Sequence, residues 1–298
     1  MRVMMSAAGS PASISILRHL RALGHTVIGI DASPVAESLA REFCDEFHRA
    51  PPADSAAYPE FLCRRLAEAD IFLPFIDEEL IAIAGHWQSF PPGLAGRIAV
   101  SDPEVVQECV DKCRFQAACR DAGLPVAPEA TGAPAFFKPR HGRGGKGVIE
   151  VQDERLFEAL RGRDGVLQQA IKGQEFTVDA IYDRDGGLVA TSPRRRLRAS
   201  GVSTAGVVEQ DDKLHALANQ LGQRWHFRYA INFQVIRDNS NRDWLIELNP
   251  RLAGSAIFST LAGCDPFAAT LALWKGESWQ GAPRRLQIWR YWQERTDA

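Results

Sequence analysis

Residues 136–148 read FFKPRHGRGGKGV, an apolar run that ends in a lysine and continues into four glycines among basic side chains. Glycine lacks a Cβ and adopts positive φ angles, so backbone amides in such a loop can approach a bound anion closely. Lys138, Arg140, Arg143 and Lys146 add positive charge to the same loop. The stretch predicts a phosphate-binding loop, with a plain solvent-exposed hairpin loop as the alternative. It does not match the G-x-x-x-x-G-K-[ST] motif.

A second polar pattern lies nearer the C-terminus, where INFQVIRDNSNRDWLIELN, residues 231–249, predicts a β-hairpin that turns at DNSN. Because side chains alternate along a strand, Asn232 and Gln234 share one face, as do Glu247 and Asn249 on the second strand. Carboxylate and amide oxygens suit a hard divalent cation such as Mg²⁺, and Arg251 follows as a fixed cation that could pair with phosphate. The pattern predicts a metal site, with a solvated hairpin face as the alternative.

The first hundred residues alternate short apolar runs with amphipathic segments. We predict strands at 2–5, 26–30, 71–75 and 97–100 with helices between them, which is typical of a small parallel sheet. Asp31 ends the second run, where a dehydrogenase would place a ribose-binding acid. The turn after the first run, SAAGSPAS at residues 6–13, lacks G-x-G-x-x-G, and this counts against a dinucleotide-binding enzyme.

After residue 100 the pattern becomes mixed. Ser101 and Asp102 can cap a helix that begins at Pro103, and we predict one continuous helix from there to Gly123. A segment rich in proline and glycine follows, and then short strands joined by turns. Helical patterns return at 211–222 and 265–275. The chain is therefore predicted to be of the α/β class with more than one domain.

The amino-acid composition indicates which kinds of molecule the protein binds. The 298 residues carry 35 basic and 37 acidic side chains, a net charge of −2, so we expect small-molecule partners and neither nucleic acid nor a membrane. The chain has no run of eighteen apolar residues and no pattern of a secretory signal. Six cysteines in such a chain fit a reducing cytoplasm, where we expect the protein to act. Cys109, Cys113 and Cys119 lie in a segment of helical composition and are interpreted as ordinary thiols, not zinc ligands.

Several motifs stand in a recognisable order: Lys138 before the glycine-rich loop, QQAIKGQEFTVD at 168–179, NFQ at 232–234 and ELNPR at 247–251. This order resembles the ATP-grasp superfamily. With DKCRFQAACRDAGLPVAP at 111–128, the layout is similar to the synthetase units of the carbamoyl-phosphate synthase large subunit. The resemblance spans nearly the whole chain. It implies the ATP-grasp fold, in which two α+β lobes sandwich ATP, preceded by a Rossmann-like domain.

The resemblance also implies domain boundaries. A Rossmann-like pre-ATP-grasp domain is expected over residues 1–100, an ATP-grasp N-terminal lobe with the glycine-rich flap over 101–178, and a C-terminal lobe with the metal site over 179–298.

By the same resemblance, nucleotide-binding roles fall on a set of residues along the chain. Lys112 and Lys138 look like the two basic contacts to the phosphates, and residues 141–147 look like a flap that closes over them and is mobile without nucleotide. The flap residues carried over are His141, Gly142, Gly144, Gly145 and Gly147. Gln169 and Ile171 fall at the adenine and Glu175 at the ribose. Gln169 replaces a commoner glutamate, so only a backbone hydrogen bond to adenine is expected there.

The resemblance further implies that Gln234, Glu247 and Asn249 hold Mg²⁺, which Mn²⁺ could replace, and that Gln234 also belongs to the nucleotide site. Arg251 matches an arginine near the γ-phosphate, and we expect Arg251 and Lys138 to be the catalytic residues. The implied reaction is an ATP-dependent ligation in which a carboxylate becomes an acyl phosphate and is attacked by an amine, with release of ADP and phosphate. A homodimer is compatible with the family.

Acceptor recognition is less defined. Arg194 and Arg196 project to one side of a predicted strand, where they either grip a substrate carboxylate or form a solvated strand edge. Asp77 and Glu79 follow a predicted strand and either meet a substrate amine or cap the next helix. Two other functions stay open: activation of bicarbonate, as in a carboxylase or a carbamoyl-phosphate-type enzyme, and a non-catalytic nucleotide-binding module.

Overall fold

The computed structural model describes residues 1–142, 144–200 and 202–291. Arg143 of the expected flap and residues 292–298 of the expected C-terminal lobe lie outside this part of the chain. Three sheets with helices around them make up the described part: a four-stranded sheet at the N-terminus, a three-stranded sheet in the middle and a six-stranded sheet in the C-terminal half. No helix among the described residues is long and apolar enough to cross a membrane.

The N-terminal sheet is parallel, in the order β3-β2-β1-β4, with helices in the connections as the alternating sequence pattern predicts. The elements are β1 (Arg2–Met5), α1 (Ile14–Ala22), β2 (Thr26–Asp31), α2 (Ala36–Phe43), β3 (Glu46–Arg49), α3 (Tyr58–Leu66), β4 (Ile71–Leu73), α4 (Asp77–Gly85) and α5 (Pro92–Ala95). Strands β1, β2 and β4 are almost fully buried because both faces of the sheet are covered there, whereas the edge strand β3 is partly exposed.

The strand expected at 97–100 does not form. Residues Arg97 and Ala99 exchange backbone hydrogen bonds with Phe72, at 2.7 and 2.9 Å, and the pairing stays an isolated bridge between Phe72 and Ile98. The chain turns away at once because Pro103 begins the next helix two residues after Ser101.

The middle part contains α6 (Pro103–Val110), α7 (Lys112–Asp121), β5 (Ala135–Pro139), β6 (Ile149–Val151), α8 (Glu154–Leu160) and β7 (Gly165–Gln169). The prediction of one helix from Pro103 to Gly123 is wrong. Asp111 has an extended backbone, and its carboxylate accepts hydrogen bonds from the amides of Cys113 and Arg114, so it ends α6 and caps α7. The three strands form an antiparallel sheet in the order β6-β5-β7.

The C-terminal part is built on an antiparallel sheet in the order β12-β11-β8-β9-β10-β13. Its elements are β8 (Gly173–Tyr182), β9 (Leu188–Ser200), β10 (Val202–Val208), α9 (Asp212–Trp225), β11 (Tyr229–Asp238), β12 (Asp243–Asn249), α10 (Ile257–Leu261), α11 (Pro266–Lys275) and β13 (Leu286–Trp289). The predicted hairpin is confirmed: β11 and β12 pair antiparallel, with Asn232 opposite Asn249 and Gln234 opposite Glu247.

One apolar core joins the two ends of the chain. Val3 and Leu17 of the N-terminal sheet layer belong to the same buried cluster as Phe258 and Phe267 of α10 and α11. Nε2 of His19 in α1 and the carboxylate of Asp265 at the start of α11 are hydrogen-bonded at 2.7 Å across this contact. The N-terminal sheet is thereby fixed against the C-terminal half, and the loops at the carboxyl ends of β1 and β4 reach the cleft described below.

Candidate active site

A cleft of about 690 Å³ lies where the three sheets meet. From the C-terminal sheet come the side chains of the hairpin and its neighbouring strands, and from the middle sheet come Lys138 and the glycine-rich loop. From the N-terminal sheet come the loops after β1 and β4. Sequence-predicted residues that line the cleft are Lys138, Gly144, Gly145, Glu175, Arg196, Gln234, Glu247, Asn249 and Arg251. Residues separated by more than a hundred positions in the chain thus share one concave surface.

The hairpin face supplies oxygen donors to the cleft. Asn249 donates from Nδ2 to Asn232 Oδ1 at 3.2 Å, and Asn232 donates in turn to the carbonyl of Arg251 at 2.8 Å. Within the described part of the chain no hydrogen bond occupies the Glu247 carboxylate, and Gln234 lies directly opposite it in the strand register. One carboxylate with two amide side chains is a donor set that fits Mg²⁺ when water and phosphate oxygens complete the shell.

Two lysines approach the hairpin from the other side. Lys138 donates to the carbonyl of Ile246 at 3.0 Å, and burial lowers the pKa of its ammonium, an effect that the Glu247 charge partly opposes. Lys112, the first residue of α7, donates to the carbonyl of Gly142 at 2.7 Å. Both lysines, together with Glu247, line a small cavity adjoining the cleft. Without a nucleotide the two ammonium groups are held by backbone carbonyls.

The glycine-rich loop needs its glycines. Gly142, Gly144, Gly145 and Gly147 have φ angles of 129°, 62°, 76° and 76°, a region that side chains with a Cβ rarely adopt. His141 is exposed at the base of the loop. The loop therefore presents backbone, not side chains, to the cleft at Gly144 and Gly145.

The two residues expected at the adenine lie apart from the cleft. Gln169 and Ile171 line a second depression together with Trp244 and the turn of the hairpin. Glu175, expected at the ribose, lines the main cleft but forms an ion pair with Arg196. The structure therefore brings together residues expected at the phosphates and the metal, and it places the expected adenine residues at a separate opening.

Arg194 and Arg196, the two arginines considered for a substrate carboxylate, have different surroundings, although alternation puts both on one side of β9. Arg194 is fully buried and forms an ion pair with Asp179 at 2.8 Å, and it also donates to the hydroxyls of Ser255 and Ser259. Arg196 lines the cleft. Of the two, Arg196 is the one in reach of a ligand in this arrangement, and Arg194 supports the wall behind Ser255.

Asp77 and Glu79 are both buried at the start of α4. Asp77 accepts from Nε of Arg251 at 2.5 Å, and Glu79 accepts from the hydroxyl of Ser6. Burial raises the pKa of Glu79 to about 7. Asp77 therefore belongs to the wall of the site, while Glu79 lies beneath the loops at the carboxyl ends of β1 and β4.

The N-terminal turn has no cradle for a dinucleotide. A Cβ on Gly9 would lie 2.0 Å from Cβ of Ala36, so the start of α2 packs directly against this turn. The Asp31 carboxylate accepts from the amides of Gly9 and Ser33, at 3.0 and 2.8 Å, and is used in the turn itself. This local packing agrees with the absence of G-x-G-x-x-G from the sequence.

Several cleft residues were not singled out from the sequence. Ser10 and Ser13 come from the loop after β1, Thr177 comes from β8, and Ser255 follows the ELNPR motif. Polar residues directly after an apolar run were the only signal for the first pair, and that signal is common in ordinary turns. The cysteines Cys109, Cys113 and Cys119 are free thiols, and within the described residues they form no three-ligand metal group.

The chain is similar to several known proteins. A family model described as "ATP-grasp in the biosynthetic pathway with Ter operon" matches residues 162–296. N5-carboxyaminoimidazole synthetase from Staphylococcus aureus, solved with ADP, superposes with a TM-score of 0.75 over 95% of this chain and 79% of that one, at 16% identity. The chain has the ATP-grasp fold. The two α+β lobes and the preceding parallel sheet expected from the sequence are therefore confirmed as its fold.

Two further structures share the ATP-grasp fold. The biotin carboxylase domain dimer of the Hydrogenobacter thermophilus 2-oxoglutarate carboxylase, with MgADP and bicarbonate, has a TM-score of 0.73 at 15% identity, over 95% of this chain and 71% of that one. An L-amino acid ligase from Bacillus licheniformis has a TM-score of 0.69 at 15% identity, over 92% and 76%. At these identities the likeness concerns the fold alone.

One curated relative is similar in sequence. The carbamoyl phosphate synthase large chain of Deinococcus radiodurans is 24% identical over 211 residues, which are 58% of this chain and 20% of that protein. The chain thus spans about a fifth of the length of this relative. The resemblance to carbamoyl-phosphate synthase units, expected from the motif order, is confirmed at this level.

Proposed function

We propose that this ATP-grasp protein is a ligase that uses ATP and Mg²⁺ to join a carboxylate to an amine, with release of ADP and phosphate. The observation that carries the proposal is the convergence of Lys138, Glu247, Asn249 and Arg251 on one cleft beside the glycine-rich loop. Phosphoryl transfer depends on positioning and on neutralising charge more than on a protein nucleophile, and these are the groups that such a transfer uses.

In the proposed arrangement the glycine-rich loop covers the ATP phosphates and the two lysines leave their backbone carbonyls to meet them. Glu247, Asn249 and Gln234 would hold the cation, which would supply positive charge to neutralise the phosphates. Arg251, fixed at the edge of the same hairpin, would meet the γ-phosphate. The Glu175 carboxylate would face the ribose once Arg196 turns to the acceptor.

The chemistry divides into two steps. An oxygen of the carboxylate attacks the γ-phosphorus, the bond to the β-phosphate oxygen breaks, and ADP leaves as the acyl phosphate forms. The amine then attacks the acyl carbon, phosphate leaves with the electron pair of the broken bond, and the amine loses its proton to solvent or phosphate. Neither step needs a nucleophilic side chain. The free cysteines fit a reducing cytoplasm, where we place the reaction.

Magnesium-dependent release of ADP by the purified protein tests the proposal. The assay takes amino acids, hydroxy acids, bicarbonate and amines singly and in pairs, with Glu247→Ala as the site variant. Lys213→Ala is the matched control, since Lys213 is exposed on α9 away from the cleft. Release that needs one carboxylate and one amine, is abolished in Glu247→Ala and survives in Lys213→Ala supports the ligase.

The outcomes separate the alternatives. Release with bicarbonate in place of an organic carboxylate would replace the proposal with a carboxylating or carbamoyl-phosphate-type activity. The similar Hydrogenobacter structure contains MgADP and bicarbonate, the ligands that such an activity uses. Tight binding of Mg·ATP without release on any pair would favour a nucleotide-binding module. Absence of nucleotide binding would contradict every version of the proposal.

A further inference from the structure

The ion pair between Asp77 and Arg251 joins two separate parts of the chain at the cleft. Asp77 begins α4 in the N-terminal sheet layer, and Arg251 follows β12 of the C-terminal sheet, 174 positions later. Their side chains are 9% and 10% exposed, and Nε of Arg251 lies 2.5 Å from Asp77 Oδ1. An ion pair at this depth is costly to form and costly to break, because removing one partner leaves a buried charge without compensation.

The Asp77 carboxylate does not cap its own helix. The cap position of α4 is Ile76, and no side chain caps this helix end. The Asp77 carboxylate, one residue on, is directed across the domain contact to the guanidinium. The sequence suggested a helix cap or a contact to a substrate amine for this residue, and the structure engages it with Arg251 instead.

The other contacts of Arg251 show what Asp77 controls. One terminal nitrogen donates to the carbonyl of Leu252 at 3.2 Å, and the other reaches Asn249 Oδ1 only at a long 3.5 Å. The second terminal nitrogen therefore keeps hydrogen-bonding capacity on the side of the cleft that Arg251 lines. Asp77 fixes the Nε edge, so the planar guanidinium can present only its far edge to a ligand.

Charge gives a second reason. Glu247 is also close enough to stabilise the cationic form of Arg251, and it is the carboxylate proposed to hold the metal. If Asp77 were absent, Glu247 and Glu78 would be the remaining carboxylates whose charges act on the guanidinium. Arg251 would then compete with the cation for Glu247 and would turn away from the phosphate.

We propose that Asp77 is a positioning residue that orients Arg251 toward the γ-phosphate of ATP and keeps it away from Glu247. This inference rests on the proposed function, since it takes Arg251 as the group that meets the γ-phosphate. It makes the N-terminal sheet layer a part of the phosphate site, although Asp77 itself touches no nucleotide. The ability to distinguish ATP from ADP then depends on a residue outside both ATP-grasp lobes.

The test compares binding of Mg·ADP with binding of a Mg complex of the β,γ-imido analogue of ATP by titration calorimetry. The full chain is measured as wild type, Asp77→Ala, Asp77→Asn, Arg251→Ala and the double variant Asp77→Ala/Arg251→Ala. Asp102→Asn is the matched control, because Asp102 forms an ion pair with Arg228 at 3.0 Å at a surface site away from the cleft. Thermal unfolding of each variant checks that it is folded.

We expect Arg251→Ala to lower the preference for the ATP analogue over ADP by about tenfold, and Asp77→Ala to lower it nearly as much, within the range for groups in contact. Asp77→Asn, which keeps the shape but not the charge, should fall between wild type and Asp77→Ala. The double variant should resemble Arg251→Ala, because the two residues act as a unit. Affinity for ADP should stay within about twofold throughout, and Asp102→Asn should match wild type.

Other results overturn the inference. A preference that falls in Arg251→Ala but is kept in Asp77→Ala would make the ion pair merely structural, as would equal losses for both nucleotides in parallel with a lower Tm. An unchanged preference in Arg251→Ala would remove Arg251 from the γ-phosphate and this inference with it. No nucleotide binding by the wild type would refute the proposed function itself, a result distinct from the others.

Discussion

At the scale of single residues, burial decides what a charged side chain can do. Arg194 and Arg196 stand two positions apart and share a strand face, yet Asp179 and two serines engage the first, while the second lines the cleft. Alternation in the sequence predicts the shared face. It cannot predict that α10 and the loop before it cover one arginine, because that contact joins segments about 60 residues apart in the chain, as Arg194 and Ser255 show.

Replacement of Lys138 by alanine should reduce turnover by more than about a hundredfold, the effect of removing one electrostatic stabiliser of a transition state. Lys138 is the basic group of the middle sheet that lines both the cleft and the small cavity next to Glu247. The rate of ADP release at saturating Mg·ATP measures the effect, with Lys213→Ala as the control. A Lys138→Ala protein with near-normal turnover would remove this residue from the catalytic set.

Glu79 should make stability depend on pH. Burial raises the pKa of this carboxyl to about 7, from an ordinary value of 4.5. Between pH 4.5 and about 7, Glu79 is therefore protonated in the folded chain and ionised in the unfolded chain. The stabilisation of the folded chain that results is fully present below pH 4.5 and is lost as pH rises through about 7. Between acidic and mildly alkaline pH the free energy of unfolding should fall by about 3 kcal/mol more in the wild type than in Glu79→Gln.

Urea unfolding from pH 5 upward measures the difference, and Glu60→Gln, which removes an exposed carboxylate of α3, is the control. The Glu60→Gln protein should follow the wild-type pH profile. Parallel profiles for wild type and Glu79→Gln would show that Glu79 is ionised in the folded chain at all these pH values.

At the scale of elements, the glycine-rich loop is the piece whose form follows most directly from composition. Its four described glycines all have positive φ, as the sequence requires of a loop that presents backbone to a ligand. Among the described residues of the loop, the carbonyl of Gly142 accepts a hydrogen bond from Lys112, and the carbonyl of Gly145 accepts one from the amide of Val148 three residues on. A loop held in this way can close over a nucleotide and open again.

Trypsin cleavage after Lys146 should therefore be rapid in the free protein and slower by about tenfold or more with Mg·ATP, because ordering of the loop withdraws it from the protease. Mass spectrometry of the fragments identifies the bond and its rate of loss. Cleavage after Lys213, on the far helix, serves as the internal reference. Equal protection with and without nucleotide would contradict the role of a flap.

The helix break at Asp111 shows what local pattern cannot resolve. Residues 103–123 have the composition of one helix, and its predicted start at Pro103 is confirmed, although the side chain of the N-cap residue Asp102 makes no capping hydrogen bond. Asp111 ends the first helix because its carboxylate has the amides of Cys113 and Arg114 within reach and also pairs with Arg140 at 2.9 Å. Arg140 comes from the base of the glycine-rich loop, so a tertiary contact fixes the break and directs Lys112 to the flap.

At the scale of the whole molecule, the N-terminal sheet and the C-terminal half share an apolar core. Buried side chains of β1 and α1 lie in one cluster with those of α10 and α11, and His19 pairs with Asp265 across the contact. We expect the two parts to unfold together. Calorimetry should give one transition whose van't Hoff and calorimetric enthalpies agree.

A substitution tests this coupling from one side. Leu17→Ala removes a fully buried side chain of α1 from the shared core and should destabilise the entire chain by about 2–5 kcal/mol in a single transition. Leu23→Ala, at an exposed leucine just after the same helix, is the control. Two separate transitions, with only the first shifted by Leu17→Ala, would mean that the N-terminal sheet is an independent unit.

The sequence by itself determined the class of fold, the hairpin of residues 231–249 and the glycines of the glycine-rich loop, because period, turn chemistry and φ preference act over a few residues. Only the tertiary structure decided the register shift after Gln234 that sets this residue opposite Glu247, and which charged groups meet. Arg194 is enclosed, Glu175 pairs with Arg196, Gln169 and Ile171 lie at a separate opening, and Asp77 of the N-terminal sheet layer holds Arg251. Those outcomes depend on how separate segments pack and on which buried charges must compensate each other, and neither is encoded in local pattern.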